Sequence, residues 1–325
     1  MDLITDNSSI TLRNFLVLML VSGILVIAIL ILSTYLPARI VENTEPLTIS
    51  ETPHFVMNIY EGKHAFSHPV AVAVAKDGKL FVSNNDLHTV EVLSAKGLPQ
   101  FSLGRSGQEA GALLYPYGVG FLPSGNLLIA ETGNCRIQEF TPKGGYVRTF
   151  VAPDNRLGLV KPGPLVIDSK GQIYVGDLSA GKVFVLNTQG KLLRTISNVT
   201  YPHGIAVDER NNRLYISDAA VKGLKVFTLT QDKNSPFQVI QAWEKNSEFS
   251  MVRGLAVDSL GRLYVTDTIA GSIRVFDKHG TYLFSFGGQG FEDGSLFYPN
   301  GIFIDNKDNI YVADWGNNRI QIWGY

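Results

Sequence analysis

Two patterns divide the chain. From Phe15 to Leu36 the run "FLVLMLVSGILVIAILILSTYL" contains no charged residue. From about residue 52 to the C-terminus, apolar and polar positions alternate with period 2, in short runs punctuated by Gly, Asn and Pro. The first pattern predicts a helix about 33 Å long, enough to cross a bilayer. The second predicts half-buried β-strands joined by tight turns.

The alternating region is a repeat. "PHGIAVDERNNRLYISD" starts at Pro202, "RGLAVDSLGRLYVTD" at Arg253 and "PNGIFIDNKDNIYVAD" at Pro299. Looser copies start at Pro69, Pro116 and Pro162, so with Val252 opening the fifth unit the starts are 47, 46, 40, 50 and 47 residues apart. Each unit reads as a strand, a turn at Gly78, Gly125, Gly171, Asn212 or Gly261, and two further strands. A turn such as "TPKG" or "DKHG" then leads to a fourth strand. Six units of four strands predict an all-β, six-bladed β-propeller. The sixth unit stops one strand short, after "RIQIWGY". The segment "HFVMNIY" at 54–60 has the character of a fourth strand, and it is expected to complete the last blade and close the ring.

"YVADWGNNRIQIW" and "GGQGFEDGSLFYPNGI" in the sixth unit resemble the NHL repeat, and "ETGNCRIQEF" in the second is similar to it. The resemblance covers about residues 52–325 and points to the NHL-repeat propellers, of a membrane-anchored bacterial type. It implies the six-bladed fold and leaves the activity open. NHL propellers include RNA binders, extracellular sensor domains of bacterial kinases and an amidating lyase that holds zinc with histidines from several blades.

The expected organisation is an N-terminal tail (1–14), a transmembrane anchor (15–36), a linker (37–51) and the propeller (52–325). "TYLPAR" offers no cleavage site for a signal peptidase, so the segment reads as an uncleaved signal anchor. Arg13 and Arg39 flank it almost symmetrically. The short tail before a large domain sets the expected orientation: tail inside, propeller outside the cytoplasm. Leaving out Asp2, Asp6 and Arg13 takes one base from 28 and two acids from 29, so the remainder is formally neutral. That argues against nucleic acid as a partner. The single Cys135 excludes an intrachain disulfide framework.

Aligning the units separates two kinds of column. Asn84, Glu131, Asp177, Asp218, Asp267 and Asp314 end the second strands, and Asp168, Asp208, Asp258 and Asp305 precede the first turn. Residues repeated in nearly every blade serve the repeat, here by accepting backbone N–H bonds in turns. Arg136, Lys182 and Arg319 open third strands and are expected to bond carbonyls of neighbouring blades. A site should instead differ between blades. The position after the blade-opening residue reads Val70, Tyr117, Gly163, His203, Arg253 and Asn300. It starts the innermost strand, so Tyr117, His203, Arg253 and Asn300 are the candidate ligand-binding residues at the channel mouth. Together they offer a π face, an imidazole, a fixed cation and an amide.

The leading expectation is a ligand- or protein-binding, sensor or scaffold module that meets a protein or small molecule at its upper face. The alternative is a metal-dependent enzyme similar to the amidating lyase or to six-bladed lactonases. His203 is the one histidine in the channel column, whereas zinc catalysis needs about three protein ligands. The channel is also where a structural calcium or zinc ion would sit, because carbonyls bind calcium without any motif.

Overall fold

The computed structural model describes residues 52–325 except 61–65, 155, 231–234 and 242–247. The expected tail, anchor and linker therefore lie outside the described residues. Among the described residues no helix is long and apolar enough to cross a membrane.

Six four-stranded antiparallel sheets are present, and in five of them the strands follow chain order from the centre outwards. The innermost strands are Pro69–Val74, Pro116–Phe121, Pro162–Ile167, Ile205–Asp208, Val252–Val257 and Pro299–Ile304. The sixth blade takes Pro299–Ile304, Ile310–Asp314 and Arg319–Gly324 from the C-terminus and His54–Ile59 from the other end of the ring. His54 faces Gly324 and Ile59 faces Ile320 across that last ladder, with a bulge between Phe55 and Met57. The closure expected from the sequence is present. It protects an edge that would otherwise offer unpaired backbone groups to another chain.

The cores lie between blades. Ile59, Tyr311, Ala313 and Ile320 of blade 6 pack with Val72, Leu80, Val82 and Leu93 of blade 1. Five equivalent clusters fill the other blade interfaces. Each blade thus buries both faces only because it has two neighbours.

The first turns behave as the repeat predicts. Gly78, Gly125, Gly171, Asn212 and Gly261 all have positive φ, and in blade 6 Asp308 takes the same conformation at 61°. Asp168, Asp258 and Asp305 each accept two N–H bonds from their own turn.

The column ending the second strands has a wider reach than a local turn. Its six members are between 0% and 1% exposed. Each accepts an N–H from the loop that enters its own blade: Ser67 to Asn84, Leu114 to Glu131, Val160 to Asp177, Thr200 to Asp218, Ser250 to Asp267 and Phe297 to Asp314. Asp177 and Asp218 also hold the following turn through Ser179 and Ala220. Arg136 and Arg319 fill the loops between blades, donating to the carbonyls of Gln108, Glu109 and Ala112 and of Glu292 and Ser295. The buried Glu131–Arg136 and Asp314–Arg319 pairs are thus satisfied by backbone and by each other, as their burial requires.

Candidate functional site

The innermost strands crowd together at the end where they begin. Gly118, Gly204, Gly254 and Gly301 follow the four candidate residues. A methyl group on any of them would fall within 3 Å of the carbonyl oxygen of Gly163, Arg253, Asn300 or Val70 on the next strand. Glycine at this position is a demand of close approach.

Three buried hydroxyls hold the candidate residues in place. Ser83 donates to the Tyr117 carbonyl (2.6 Å) and Thr266 to the Asn300 carbonyl (2.9 Å), each across a blade interface. Ser217 Oγ accepts the N–H groups of His203 (2.9 Å) and Gly204 (2.8 Å), and Thr266 Oγ1 accepts that of Gly254 (2.6 Å). The Ser217 bonds replace the start of the ladder in blade 4, whose first strand begins at Ile205 instead of Pro202. These hydroxyls carry no signal in a single repeat. Only the aligned column Ser83, Ala130, Gly176, Ser217, Thr266 and Ala313 shows that three blades place a hydroxyl where the other three have Ala or Gly.

The side chains meet across the channel. Tyr117 Oη lies 3.2 Å from His203 Nδ1, joining blade 2 to blade 4. Tyr117, His203 and Asn300 line a cavity of about 380 Å³ between the six innermost strands. Burial pushes the Tyr117 phenol up to about 12, while the Arg253 guanidinium pulls it the other way. Burial, and then Arg253, push the His203 imidazole down to about 4. At neutral pH the phenol keeps its proton and the imidazole is uncharged, so Arg253 supplies the one formal charge of the quartet. Its Nε is buried with no hydrogen-bond partner. Arg253 is half-buried and does not line the cavity, so its charge acts on the Tyr117–His203 pair from beside it. Val70 and Gly163 complete the ring without polar side chains.

One set of residues was not singled out from the sequence. The position before each blade-opening residue reads His68, Tyr115, Lys161, Tyr201, Met251 and Tyr298, and it forms a rim around the mouth. His68, Tyr115, Tyr201 and Tyr298 all have φ between 47° and 55°. Left-handed backbone at bulky residues costs about 1 kcal/mol or more and persists where the surroundings impose it. His68 stacks on Trp315 with centroids 3.9 Å apart and pairs with Asp86 at 2.5 Å. Tyr115 and Tyr201 remain about half exposed. Three tyrosines in one column were the available signal.

Comparison with known proteins places this geometry in a family. Residues 82–287, more than half the chain, match the family described as the SMP-30/gluconolactonase/LRE-like region. The chain belongs to the SMP-30/gluconolactonase/LRE-like family. Residues 298–323 match the NHL repeat, so the NHL resemblance of blade 6 holds as well. Among curated relatives, "Protein brain tumor" of Drosophila melanogaster is 28% identical over 137 residues, 42% of this chain and 13% of that protein. "E3 ubiquitin-protein ligase TRIM32" of Homo sapiens is 22% identical over 290 residues, 80% of this chain and 42% of that protein. The chain thus spans less than half the length of these relatives. A gluconolactonase from Xanthomonas campestris, XC5397, superposes with a TM-score of 0.65 at 14% identity, covering 84% of this chain and 95% of that one. At that identity the likeness is one of fold.

The mouth of this SMP-30/gluconolactonase/LRE-like propeller does not fit a divalent metal. One imidazole, a phenol and an amide stand beside a fixed cation, and no carboxylate lines the cavity. Divalent ions need several anionic or carbonyl donors. Among the described residues no group of three His, Cys, Asp or Glu could hold one.

Proposed function

We propose that this protein is a binding propeller, held at a membrane by residues 15–36 with residues 52–325 outside the cytoplasm. On this reading it takes its ligand or protein partner at the mouth face. An acidic group of the ligand is received by Arg253, Tyr117, His203 and Asn300. The observation that carries the reading is the unpartnered buried Nε of Arg253 beside a hydrogen-bonded, uncharged Tyr117–His203 pair. The Arg253 cation close to that pair supports an anionic group at the mouth. The exposed, strained tyrosines of the rim support contact with a protein around that point, since tyrosine supplies large contact area at low entropic cost. Nucleic acid is not expected, because the chain beyond the first 36 residues is formally neutral.

Membership of a family named in part for a lactonase favours the second reading, a metal-dependent enzyme. The donor set at the mouth argues against it. Native mass spectrometry of the full chain, with His203→Ala alongside, separates the two. No His203-dependent transition metal is expected. One zinc per chain, lost in the variant, would make the enzyme reading the better one.

A further inference from the structure

Each blade begins its first strand at the mouth, so its hairpins between strands one and two and between strands three and four lie at the opposite end. The side chains that project from that end are largely basic. Lys76, Lys170 and Lys307 stand on first hairpins and Lys96, Lys143 and Lys278 on second ones, all exposed. Among the described residues none of the six belongs to an ion pair. The acids of these turns are held closer in. Glu209 accepts the N–H and hydroxyl of Ser169 (2.7 and 2.5 Å) and Asp308 those of Ser259 (2.8 and 2.5 Å). Asp277 accepts the N–H groups of His279 and Thr281, and Asp77 is paired with Lys79 at 2.8 Å. Ammonium groups on long stems therefore project beyond the carboxylates. Leu98 and Leu260 stand on the same turns and are 61% and 62% exposed.

The chain also enters the propeller at this end. Arg319 opens the third strand of blade 6 at the mouth and Gly324 ends it at the hairpins, so His54, which faces Gly324, lies among the hairpins. The sequence before it holds the uncharged run 15–36. We infer that the hairpin face rests on a bilayer surface rich in anionic headgroups, with its lysines among the phosphates and Leu98 and Leu260 at the acyl boundary. The inference rests on the reading of residues 15–36 as an anchor and adds the face that meets the lipid. The mouth is then turned away from the bilayer, open to its partner. The lysines are spread over blades 1, 2, 3, 5 and 6 and not gathered in one pocket, which suits an extended flat surface. Phosphates of a lipid and of a nucleic acid both attract lysine, but only acyl chains reward exposed leucines.

The test is co-sedimentation of the propeller, residues 52–325, which contains every strand of the closed ring. The probes are vesicles of phosphatidylcholine, alone or mixed equally with phosphatidylglycerol. Partition onto the mixed vesicles should be stronger by about tenfold or more and should vanish in high salt. Lys96→Glu with Lys143→Glu should weaken it by about tenfold or more, at about fivefold for each lysine lost. Arg105→Glu with Lys222→Glu makes the same change of charge on exposed loops at the mouth end and should weaken it less than about twofold. Equal losses in the two double variants would overturn the inference, as would equal partition onto both vesicles or none onto either. Displacement from the mixed vesicles by single-stranded RNA at equal phosphate concentration would assign the face to nucleic acid and overturn it too. Carbonate extraction of membranes carrying the full chain reads the anchor by itself. Retention there without headgroup-dependent partition would overturn the inference and leave the anchor standing. Release there would overturn the anchor reading, and the vesicle result would still decide the face.

Discussion

Two rings of six residues, one ending the second strands and one opening the first, show how this propeller separates scaffold from site. The first ring is nearly uniform, being acids with one asparagine, all at most 1% exposed. Each member grips the loop that enters its own blade. The second ring changes chemistry from blade to blade, and its members meet across the channel instead of within a blade. A side chain repeated around the axis solves a problem that every blade has. One that appears once is free to answer to something outside the fold.

Both rings depend on closure, so the largest effect should come from removing residues 52–60. That deletion loses the ladder from His54 to Ile59 and the buried Ile59 side chain, as well as the bond from Arg319 to Tyr60 Oη (2.8 Å). The loss is on the order of 5 kcal/mol, comparable with the whole stability of a domain. Thermal melts should show aggregation or a much lower Tm. A melt like that of the intact protein would refute the role assigned to the closing strand.

Next comes the uniform ring. Asp314→Ala removes the acceptor for Phe297 N–H and the partner of Arg319 at 2.7 Å, leaving a 1%-exposed guanidinium short of its counter-charge. We expect a cost of about 3 kcal/mol in urea denaturation. Asp218→Ala should cost about 2 kcal/mol, since it orphans two N–H groups and leaves Lys225 with the Asn198 carbonyl but no counter-charge. Neither change should alter ligand binding. A selective loss of binding in Asp218→Ala would erase the distinction between the rings.

His203→Asn should do the reverse, changing stability near neutral pH by about 1 kcal/mol or less while abolishing anion binding. It also sharpens the comparison through pH. The folded imidazole titrates at about 4 against an ordinary value of 6.5. Between those values the unfolded chain binds the extra proton, so stability falls as the pH drops from 6.5 towards 4. His203 contributes at most about 3 kcal/mol to that fall. Carboxylates titrate in the same window, so the measure is the difference between the two proteins. The Tm of His203→Asn should decline less steeply. Equal slopes would mean that His203 is not buried in its neutral form.

The smallest effect concerns the rim. Tyr201→Gly relieves a left-handed backbone of φ 47° but adds chain entropy to the unfolded state. The two nearly cancel, so Tm should stay within about 2 °C. Partner binding, if the rim makes it, should weaken. A Tm lower by much more would show that Tyr201 belongs to the scaffold.

Much of this architecture was legible in the chain itself. Period-2 alternation, turn residues at fixed offsets and a spacing of 40 to 50 residues specify six blades of four strands. The missing last strand and the spare "HFVMNIY" specify how the ring closes. These are local signals, because strand and turn preferences act over a few residues. The candidate residues could also be chosen from the sequence, since a column that varies stands out once the units are aligned.

What they do together was decided only by tertiary structure. Tyr117 and His203 are 86 positions apart and touch because closure brings blades 2 and 4 around one channel. The hydroxyls of Ser83, Ser217 and Thr266 hold the mouth by reaching backbone on their own blade or the next. The left-handed tyrosines of the rim, the orphaned Arg253 Nε and the depressed titration of His203 arise from burial and enclosure. Those are properties of neighbours that the chain supplies from distant positions, and no local pattern encodes them.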